Sequence, residues 1–332
     1  MQSRLFVKDL KDHSRCICQT FCYIPSSVKR KFSQLRRETK ARLARKYNLL
    51  TRRVMFIYQM PKIGSQTVEA TLQQAGFPHP IFRFHYLSAT VSAPMREILK
   101  TKRGDEFWRR SAQRQLDHIE EITQIIRIRR RLRAVGFKIP KIEVITGVRD
   151  IIGLGLSSLF ENHKLFVKDP KDMNVEICRA SLLHPGTLTP LREWFDLEIK
   201  TFLDLDVFAS PFPCGKGYTV YENGFARMLL YRFESLKALP TILSEFLGCP
   251  IPALENRNLG EAKNYNQQYH CAKQDLRLPA DFVALQYRSK PMQHFYADAE
   301  RQRFQRQWSR TEEPAVSQTV PASSVLASTA AP

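Results

Sequence analysis

The stretch VMFIYQMPKIGSQTVEATLQQAG, residues 54–76, decides the fold. Its apolar start predicts a β-strand over residues 54–58, and the helix-forming residues that follow predict a helix over residues 67–75 that stops at Gly76. The loop between them contains Lys, Gly, Ser and Thr. A strand that enters a helix through such a loop is suited to an oxyanion, because the first N–H groups of a helix have no partner within it. The stretch therefore predicts an anion-binding loop in an α/β protein.

Two familiar nucleotide-binding patterns do not fit this chain. The Walker pattern places its lysine directly after the second glycine, whereas here Lys62 precedes Gly64, so an ATP-type loop is not supported. The run GLGLSS, residues 153–158, begins like a dinucleotide fingerprint, but Ser158 stands where the third glycine belongs. That run also lies too far from a strand end, and we reject it.

Strands and helices alternate along the next part of the chain. Residues 80–88 predict a short extended segment, and apolar residues at helical spacing predict a long helix that stops at Gly136. Residues 141–150 predict a second clear strand, and a helix follows from Ile151. Such alternation indicates an α/β fold of three layers (αβα), with a P-loop-like parallel sheet and helices on both of its faces.

Composition divides the chain into three parts. Residues 1–50 are rich in Lys and Arg and predict a basic N-terminal arm, and residues 51–310 predict the α/β domain. Residues 311–332 are rich in Ser, Thr, Ala and Pro, which predicts a disordered tail.

The charge of the chain indicates a polyanionic partner. Lys and Arg number 52 against 32 acidic residues, a formal net charge of +20. A nucleotide, an acidic glycan, nucleic acid or an anionic membrane surface would each satisfy this excess. The arginines of IRIRRRLR, residues 126–133, resemble a nucleic-acid grip, but cations are favoured at any helix C-terminus, so a solvated helix face is preferred.

Neither a membrane-spanning segment nor a metal-binding cysteine pattern is evident in the sequence. No apolar run approaches the roughly 20 residues of a membrane span, which predicts a cytoplasmic protein whose basic N-terminus is compatible with peripheral membrane contact. The seven cysteines fit no zinc spacing, so we expect reduced and mostly buried thiols and no metal site.

Four motifs occur in an order that resembles a known enzyme family. They are PKIGSQT (61–67), RDIIGLGLSSLFEN (149–162), LLYRFESL (229–236), which looks like a late strand, and LSEFLGCP (243–250), which looks like the end of the helix that follows it. Together they resemble the sulfotransferases that use 3′-phosphoadenosine 5′-phosphosulfate (PAPS), and in detail the bacterial capsular polysaccharide synthesis proteins of this type. Ile151 replaces the family's proline, and its usual second arginine is absent.

The resemblance implies a function. It implies transfer of a sulfuryl group from PAPS, without a metal, to a hydroxyl of a polysaccharide or another glycan. The alternative is a non-catalytic binding or assembly protein of surface-polysaccharide biosynthesis with a degenerate nucleotide pocket. A nucleic-acid partner would rest on charge alone and is not expected.

The resemblance also implies roles for particular residues. Lys62 would act in catalysis and, with its loop, bind the 5′-phosphosulfate. Arg149, at the end of the strand predicted over residues 141–150, and Ser157 would bind the 3′-phosphate. The alternatives are that Lys62 is a solvated surface residue and that Arg149 pairs with Asp150 or Glu161. The residues expected to bind the donor are Lys62, Gly64, Ser65, Gln66, Thr67, Arg149 and Ser157.

The general base is expected to be His85. It lies at the end of the short strand predicted within residues 80–88, at the sheet edge that carries the loop. Related enzymes place His or Glu at this position. A neutral imidazole suits removal of a hydroxyl proton. The alternative is a packed histidine between two aromatic residues. Glu234 is expected to brace the donor site. A solvated face is expected for the carboxylates Asp196, Glu198, Asp204 and Asp206.

Overall fold

The computed structural model describes residues 49–89, 106–255 and 264–310, together with positions 93, 96, 97 and 99. The predicted basic arm therefore lies outside the described residues except for its last two positions, and the predicted tail lies outside them entirely. Among the described residues, those up to Val54 and those in Glu120–Pro140 form one compact unit. The described residues of Met55–Ile119 and Lys141–Pro332 form a second unit, which contains the sheet. The three-part division predicted from composition stays a prediction.

A five-stranded sheet confirms the α/β class. The strand order is β2-β1-β3-β5-β4, and neighbouring strands are parallel except for β5 and β4. Strands β1 and β3 are buried along their whole length, as expected of central strands covered on both faces. The strands are β1 Met55–Tyr58, β2 Ile81–Phe84, β3 Ile142–Val148, β4 Tyr218–Glu222 and β5 Ala226–Arg232.

The helices of the described residues are consistent with a three-layer arrangement. Helix α5 continues through a π-helical segment, Phe195–Lys200, and a last turn, Thr201–Leu203. A 3₁₀ segment, Phe233–Ala238, follows β5. The helices are α1 Ser65–Gln74, α2 Glu106–Ala134, α3 Ile151–Glu161, α4 Val175–Leu183, α5 Thr189–Trp194, α6 Leu239–Leu247, α7 Asn266–Asp275, α8 Ala280–Tyr287, α9 Lys290–Phe295 and α10 Asp298–Trp308.

The edge strand β4 departs from the prediction of a parallel sheet. It is joined to β5 by a short connection in which the Asn223 side chain accepts hydrogen bonds from the N–H groups of Phe225 and Ala226, both at 2.8 Å. A connection this short can join only antiparallel strands, because a parallel pair needs a long crossover. The departure is confined to the edge of the sheet, away from β1.

The end of β5 also differs from the sequence interpretation of LLYRFESL as a strand. The strand stops at Arg232, and Glu234 lies in the 3₁₀ segment that follows. The Glu234 carboxylate accepts a hydrogen bond from the backbone N–H of Asp150 at 3.0 Å, so the chain has already turned across the carboxyl end of β3. In contrast, the predicted end of LSEFLGCP is confirmed, since α6 stops at Gly248 with φ of 69°.

The parallel strands determine where a site can form. Because β1, β2, β3 and β5 run in one direction, their carboxyl ends lie at the same edge of the sheet, where open α/β sheets bind ligands. The residues that follow these strands directly are Gln59, His85, Arg149 and Phe233. No helix among the described residues is long and apolar enough to cross a membrane.

Candidate functional site

An open cleft of about 820 Å³ lies at this edge of the sheet. It brings together every residue that the sequence proposed for donor binding or catalysis, although their chemical roles stay predictions. Aromatic side chains from the 3₁₀ segment and from the start of α7 complete one wall. The proposed residues that line the cleft are Lys62, Gly64, Ser65, Gln66, Thr67, His85, Arg149 and Ser157.

The loop between β1 and α1 is held by donors from the ends of other strands. Arg149 Nη1 donates to the carbonyl oxygen of Lys62 at 3.0 Å, and the Tyr231 hydroxyl donates to the carbonyl oxygen of Ile63 at 2.8 Å. A trans peptide places its N–H opposite its C=O. The N–H groups of Ile63 and Gly64 therefore point away from these two donors.

The backbone of this loop adopts a compact and unusual conformation. Lys62 has φ of 66° and Gly64 has φ of 82°, so left-handed residues flank Ile63. A turn that contains left-handed residues can direct successive N–H groups into one concavity, which favours anions. The loop also needs Gly147 beneath it, because a Cβ there would lie 2.7 Å from the Ile63 side chain.

Helix α1 begins without a side-chain cap. Gly64 is its N-cap residue and carries no side chain, and its carbonyl oxygen accepts the first helical hydrogen bond, from Val68 N at 3.0 Å. No acidic residue lies in the first turn. The partial positive charge of the helix N-terminus is therefore not offset by a carboxylate of that turn, which suits an anionic ligand.

The ammonium group of Lys62 forms an ion pair in the cleft. Lys62 Nζ lies 2.9 Å from Glu161 Oε2 at the end of α3, and the Tyr265 hydroxyl donates to the same oxygen at 2.9 Å. The Lys62 side chain is 17% exposed and that of Glu161 is 43% exposed. Since such partly exposed pairs contribute little stability, an anionic ligand can compete with Glu161 for the ammonium. Glu161, which the sequence analysis gives as an alternative partner of Arg149, pairs here with Lys62.

Arg149 is oriented by a stacking contact and by hydrogen bonds. Its guanidinium lies 4.4 Å from the centre of the Phe233 ring, and Nη2 lies 3.4 Å from the Tyr269 hydroxyl. Stacking and the bond to the loop carbonyl fix the plane of the group. A planar guanidinium held in this way can bind a phosphate through paired donors.

Two neighbouring serines of α3 line the cleft beside Arg149. The sequence proposed Ser157, and the structure adds Ser158, whose Oγ is buried without a hydrogen-bond partner among the described residues. An unsatisfied buried hydroxyl costs about 1–3 kcal/mol, so such a group commonly marks a place for a ligand or water. The donor set of this wall, one guanidinium and two hydroxyls, fits a phosphate group.

His85 lies at the cleft with a defined tautomer. Its Nδ1 lies 2.7 Å from the carbonyl oxygen of Gln59, so Nδ1 carries the proton and Nε2 carries the lone pair. Burial lowers the pKa of His85, and the positive charges of Arg83 and Lys62 lower it further, against the opposing effect of the Gln59 hydrogen bond. The imidazole is therefore neutral near pH 7 and able to accept a proton.

The chain just after His85 is held by a buried carboxylate that the sequence analysis misjudged. Glu198 was expected on a solvated face, but it is 1% exposed. It accepts hydrogen bonds from the Tyr58 hydroxyl and from the N–H groups of Leu87 and Ser88, at 2.7 and 3.2 Å for the two amides. The remaining carboxylates of that run are exposed or half-buried, as expected: Asp196, Asp204 and Asp206.

Glu234 braces the site through Asp150, in agreement with the role expected for it. One Glu234 oxygen accepts from Asp150 N, and the other accepts from the Tyr296 hydroxyl at 2.9 Å. The Asp150 carboxylate in turn accepts hydrogen bonds from Tyr287 and, at 3.0 Å, from Trp308. Burial raises the pKa of both carboxyl groups.

Sequence reasoning missed the aromatic wall. Phe233, which orients Arg149, lies within the motif LLYRFESL but was given no role. Tyr265 bonds to Glu161 and Tyr269 contacts Arg149, and the motifs that suggested the site do not extend to these two residues. One signal was available, since tyrosines four residues apart lie on the same face of a helix.

Metal ligation finds no support in the part of the chain that the structure describes. No group of three or more His, Cys, Asp or Glu side chains there is placed to hold an ion. The described cysteines are free thiols; Cys178 is buried, whereas Cys271 is exposed, which differs from the expectation of mostly buried thiols.

A family model matches part of the chain. Residues 171–297 match the model of a family described as "Putative capsular polysaccharide synthesis protein". No curated protein and no solved structure matches the chain significantly. The matched segment contains Phe233, Tyr265 and Tyr269 of the cleft wall, whereas Lys62 and Arg149 precede it.

Proposed function

We propose that the protein is a sulfotransferase that uses PAPS and sulfates a hydroxyl group of a polysaccharide or another glycan. The observation that carries the proposal is the cleft shared by the cationic loop residue Lys62, the oriented guanidinium of Arg149 and the neutral imidazole of His85. An anion-binding loop alone would suit many ligands. A second phosphate-binding wall and a base on the same cleft suit a doubly anionic donor and a hydroxyl acceptor.

The residues divide naturally between the two ends of the donor. The N–H groups of the loop and of the first turn of α1, together with Lys62, would hold the 5′-phosphosulfate. Arg149, Ser157 and Ser158 would hold the 3′-phosphate. When bound, the donor supplies a sulfuryl group whose bond to the 5′-phosphate breaks as the acceptor oxygen bonds to sulfur.

His85 would accept the proton of the acceptor hydroxyl at Nε2. Its Nδ1–H stays bonded to the Gln59 carbonyl, which keeps Nε2 as the basic nitrogen. The lowered pKa keeps this nitrogen unprotonated at neutral pH, at the cost of some basicity.

Lys62 would stabilise the charge that develops on the departing phosphate. Its ammonium must leave Glu161 to do so, and the partial exposure of the pair makes this exchange feasible. The left-handed backbone of Lys62 is fixed by Arg149, so the lysine is placed before any ligand arrives.

The acceptor class is supported by the family match and by charge. The matched family is described in terms of capsular polysaccharide synthesis, and its segment supplies the aromatic wall of the cleft. The net charge of +20 suits an acidic glycan and its more acidic sulfated product.

Calorimetric titration of 3′,5′-adenosine bisphosphate, the spent donor, tests the nucleotide site. We expect micromolar binding by the wild type, its loss in Arg149→Ala, and wild-type binding by the matched control Arg288→Ala, an exposed arginine outside the cleft. Transfer of radiolabelled sulfate from the donor to a panel of polysaccharides tests catalysis. Absence of nucleotide binding by the folded wild-type protein would overturn the proposal.

A non-catalytic binding protein is the second candidate. The ion pair of Lys62 with Glu161 favours this candidate, because the lysine proposed to act in catalysis already has a carboxylate partner. This candidate predicts that the wild type binds the spent donor but transfers no label, and that His85→Gln leaves polysaccharide binding unchanged.

A further inference from the structure

Two large apolar side chains are exposed on the turn that follows α2. Val135 is 72% exposed and Phe137 is 60% exposed, and only Gly136 separates them. Scattered apolar residues are normal at a surface, but two on one tight turn form a protruding apolar tip that water solvates poorly. We call residues 134–138 the apolar turn.

The backbone presents this turn in a fixed conformation. Gly136 has φ of 90°, its N–H donates to the Arg133 carbonyl at 3.0 Å, and Phe137 N donates to the Leu132 carbonyl at 2.9 Å. These two bonds form a helix-ending motif in which the residue after the glycine commonly packs back onto the helix. Phe137 does not fold away in this manner, since most of its surface is exposed.

The chain that leaves the turn is also fixed. Arg133 donates to the carbonyl oxygen of Ile139, and Arg129, which is fully buried, donates to the carbonyl oxygens of Pro140 and Leu49. Two arginines of α2 thus serve as structural donors. The exposed side chains of the turn are held on a rigid support, and little conformational freedom would be lost when they bind.

The surroundings of the apolar turn are cationic. Arg127, Arg131 and Lys138 are exposed, and the sequence contains no acidic residue between Glu121 and Glu143. The combination of exposed apolar side chains and exposed cations is typical of surfaces that insert into the interface of an anionic membrane.

We propose that the apolar turn docks the protein onto an anionic lipid bilayer. Val135 and Phe137 enter the boundary between headgroups and acyl chains, while Arg127, Arg131 and Lys138 contact lipid phosphates. A nucleic-acid ligand would use the same cations, but Val135 offers nothing that a base or a phosphate recognises. The apolar pair therefore favours lipid. The residues of the apolar turn lie outside the predicted basic arm in the sequence, and the proposal is independent of the proposed chemistry.

Vesicle flotation of the full chain tests the proposal. The probes are vesicles of phosphatidylglycerol mixed with phosphatidylcholine, and vesicles of phosphatidylcholine alone. We expect binding to the anionic vesicles only, and a loss of about tenfold in partitioning for Val135→Ser/Phe137→Ser. Leu285→Ser, a matched change of a residue that is 56% exposed on α8, should bind as the wild type does.

A second pair of variants separates lipid from nucleic acid. Arg131→Gln/Lys138→Gln should weaken vesicle binding at low salt, whereas the exposed control pair Lys273→Gln/Arg288→Gln should not. A single-stranded oligonucleotide is titrated in parallel. If the cation pair controls oligonucleotide binding while Val135→Ser/Phe137→Ser binds vesicles normally, the surface is a nucleic-acid contact and the proposal is overturned.

A direct measure of insertion uses Phe137→Trp. Its tryptophan emission should shift to the blue on anionic vesicles and be quenched by brominated lipid, and Leu285→Trp should show neither effect. Failure of the wild type to float with anionic vesicles, or normal flotation of Val135→Ser/Phe137→Ser, would also overturn the proposal.

Discussion

The side chain of Arg149 holds the backbone of Lys62: Nη1 of the arginine lies 3.0 Å from the lysine carbonyl oxygen. The two cations proposed for opposite ends of the donor are therefore linked, although they are far apart in the sequence. Loss of one side chain should disturb the other, so the effects of substitutions at these two positions should not be additive.

Arg149→Lys should weaken binding of 3′,5′-adenosine bisphosphate by at least about tenfold. Lysine keeps the charge but cannot stack as a plane on Phe233 while also donating to the loop carbonyl. Calorimetry measures the affinity, and hydrogen exchange at the amides of the loop reports whether the loop has loosened. Unchanged affinity and unchanged exchange would show that Arg149 does not organise the site.

Ser158→Ala should weaken nucleotide binding more than the neighbouring Ser157→Ala does. The buried Ser158 hydroxyl lacks a partner among the described residues, so a ligand that satisfies it gains a hydrogen bond worth about 0.5–1.5 kcal/mol. Thermal unfolding without ligand is the control, because removal of an unsatisfied hydroxyl should not destabilise the protein. The opposite order of affinities would favour Ser157, the residue that the sequence suggested.

Glu161→Gln should raise the affinity for the spent donor by up to about fivefold. The substitution removes the carboxylate that competes for the Lys62 ammonium, and exposed pairs of this kind contribute about 1 kcal/mol or less. Tyr265→Phe, which removes a hydroxyl bonded to the same carboxylate oxygen, is the matched control for disturbance of the wall. A lower affinity in Glu161→Gln would mean that Glu161 orients Lys62 productively.

The rate of sulfuryl transfer should rise with pH and reach a plateau. Because burial lowers the pKa of His85, the rise in kcat/KM should have its midpoint below the ordinary histidine value of 6.5. His85→Gln should lower kcat by about 10²–10⁴-fold and abolish this limb of the profile. A profile that keeps the same midpoint in His85→Gln would assign the titration to another group.

Glu234→Gln should change the pH dependence of stability. Burial raises the pKa of Glu234 in the folded state, so the folded protein binds more protons than the unfolded chain between the ordinary and the raised pKa. The contribution of this group to stability is therefore full at low pH and is lost as pH rises through the raised value. Urea unfolding between about pH 4 and pH 8 should show the variant gaining stability relative to wild type as pH rises. A constant difference would contradict the raised pKa.

The part of the site that could be predicted from the sequence is local. The strand, the loop and helix α1 follow one another within residues 54–76, and each is specified by its own apolar pattern or by Gly64. The position of His85 was also predictable, because parallel pairing of β1 with β2 brings the ends of both strands to one edge. Helix α1 begins at Ser65, two residues earlier than predicted, since Gly64 serves as its N-cap.

The features of the fold and the site that could not be predicted depend on contacts between distant segments of the chain. Glu198 looked like a surface residue, but its burial is acceptable because it accepts hydrogen bonds from the Tyr58 hydroxyl and from the amides of Leu87 and Ser88, all distant in the sequence. The partner of Lys62 likewise follows from how α3 packs, which no spacing in the sequence reveals. The antiparallel β4 was missed although the sequence carries a signal for it, since Asn223-Gly224 between the two strands is a common hairpin-turn pair that the sequence analysis did not use.

The segment matched by the family model holds the backbone of His85, the predicted base, in place, although His85 itself lies outside that segment. Trp194 Nε1 donates to the carbonyl oxygen of His85 at 2.9 Å, and Glu198 binds the amides that follow His85, so residues of the matched segment fix the backbone on which the histidine stands. A chimaera that replaces residues 171–297 with the equivalent segment of a relative would exchange the aromatic wall of the cleft. The replaced segment should keep tryptophan at position 194 and glutamate at position 198, because these two side chains bind the retained backbone around His85. Relatives for experiments that exchange the proposed acceptor specificity can be chosen by this rule.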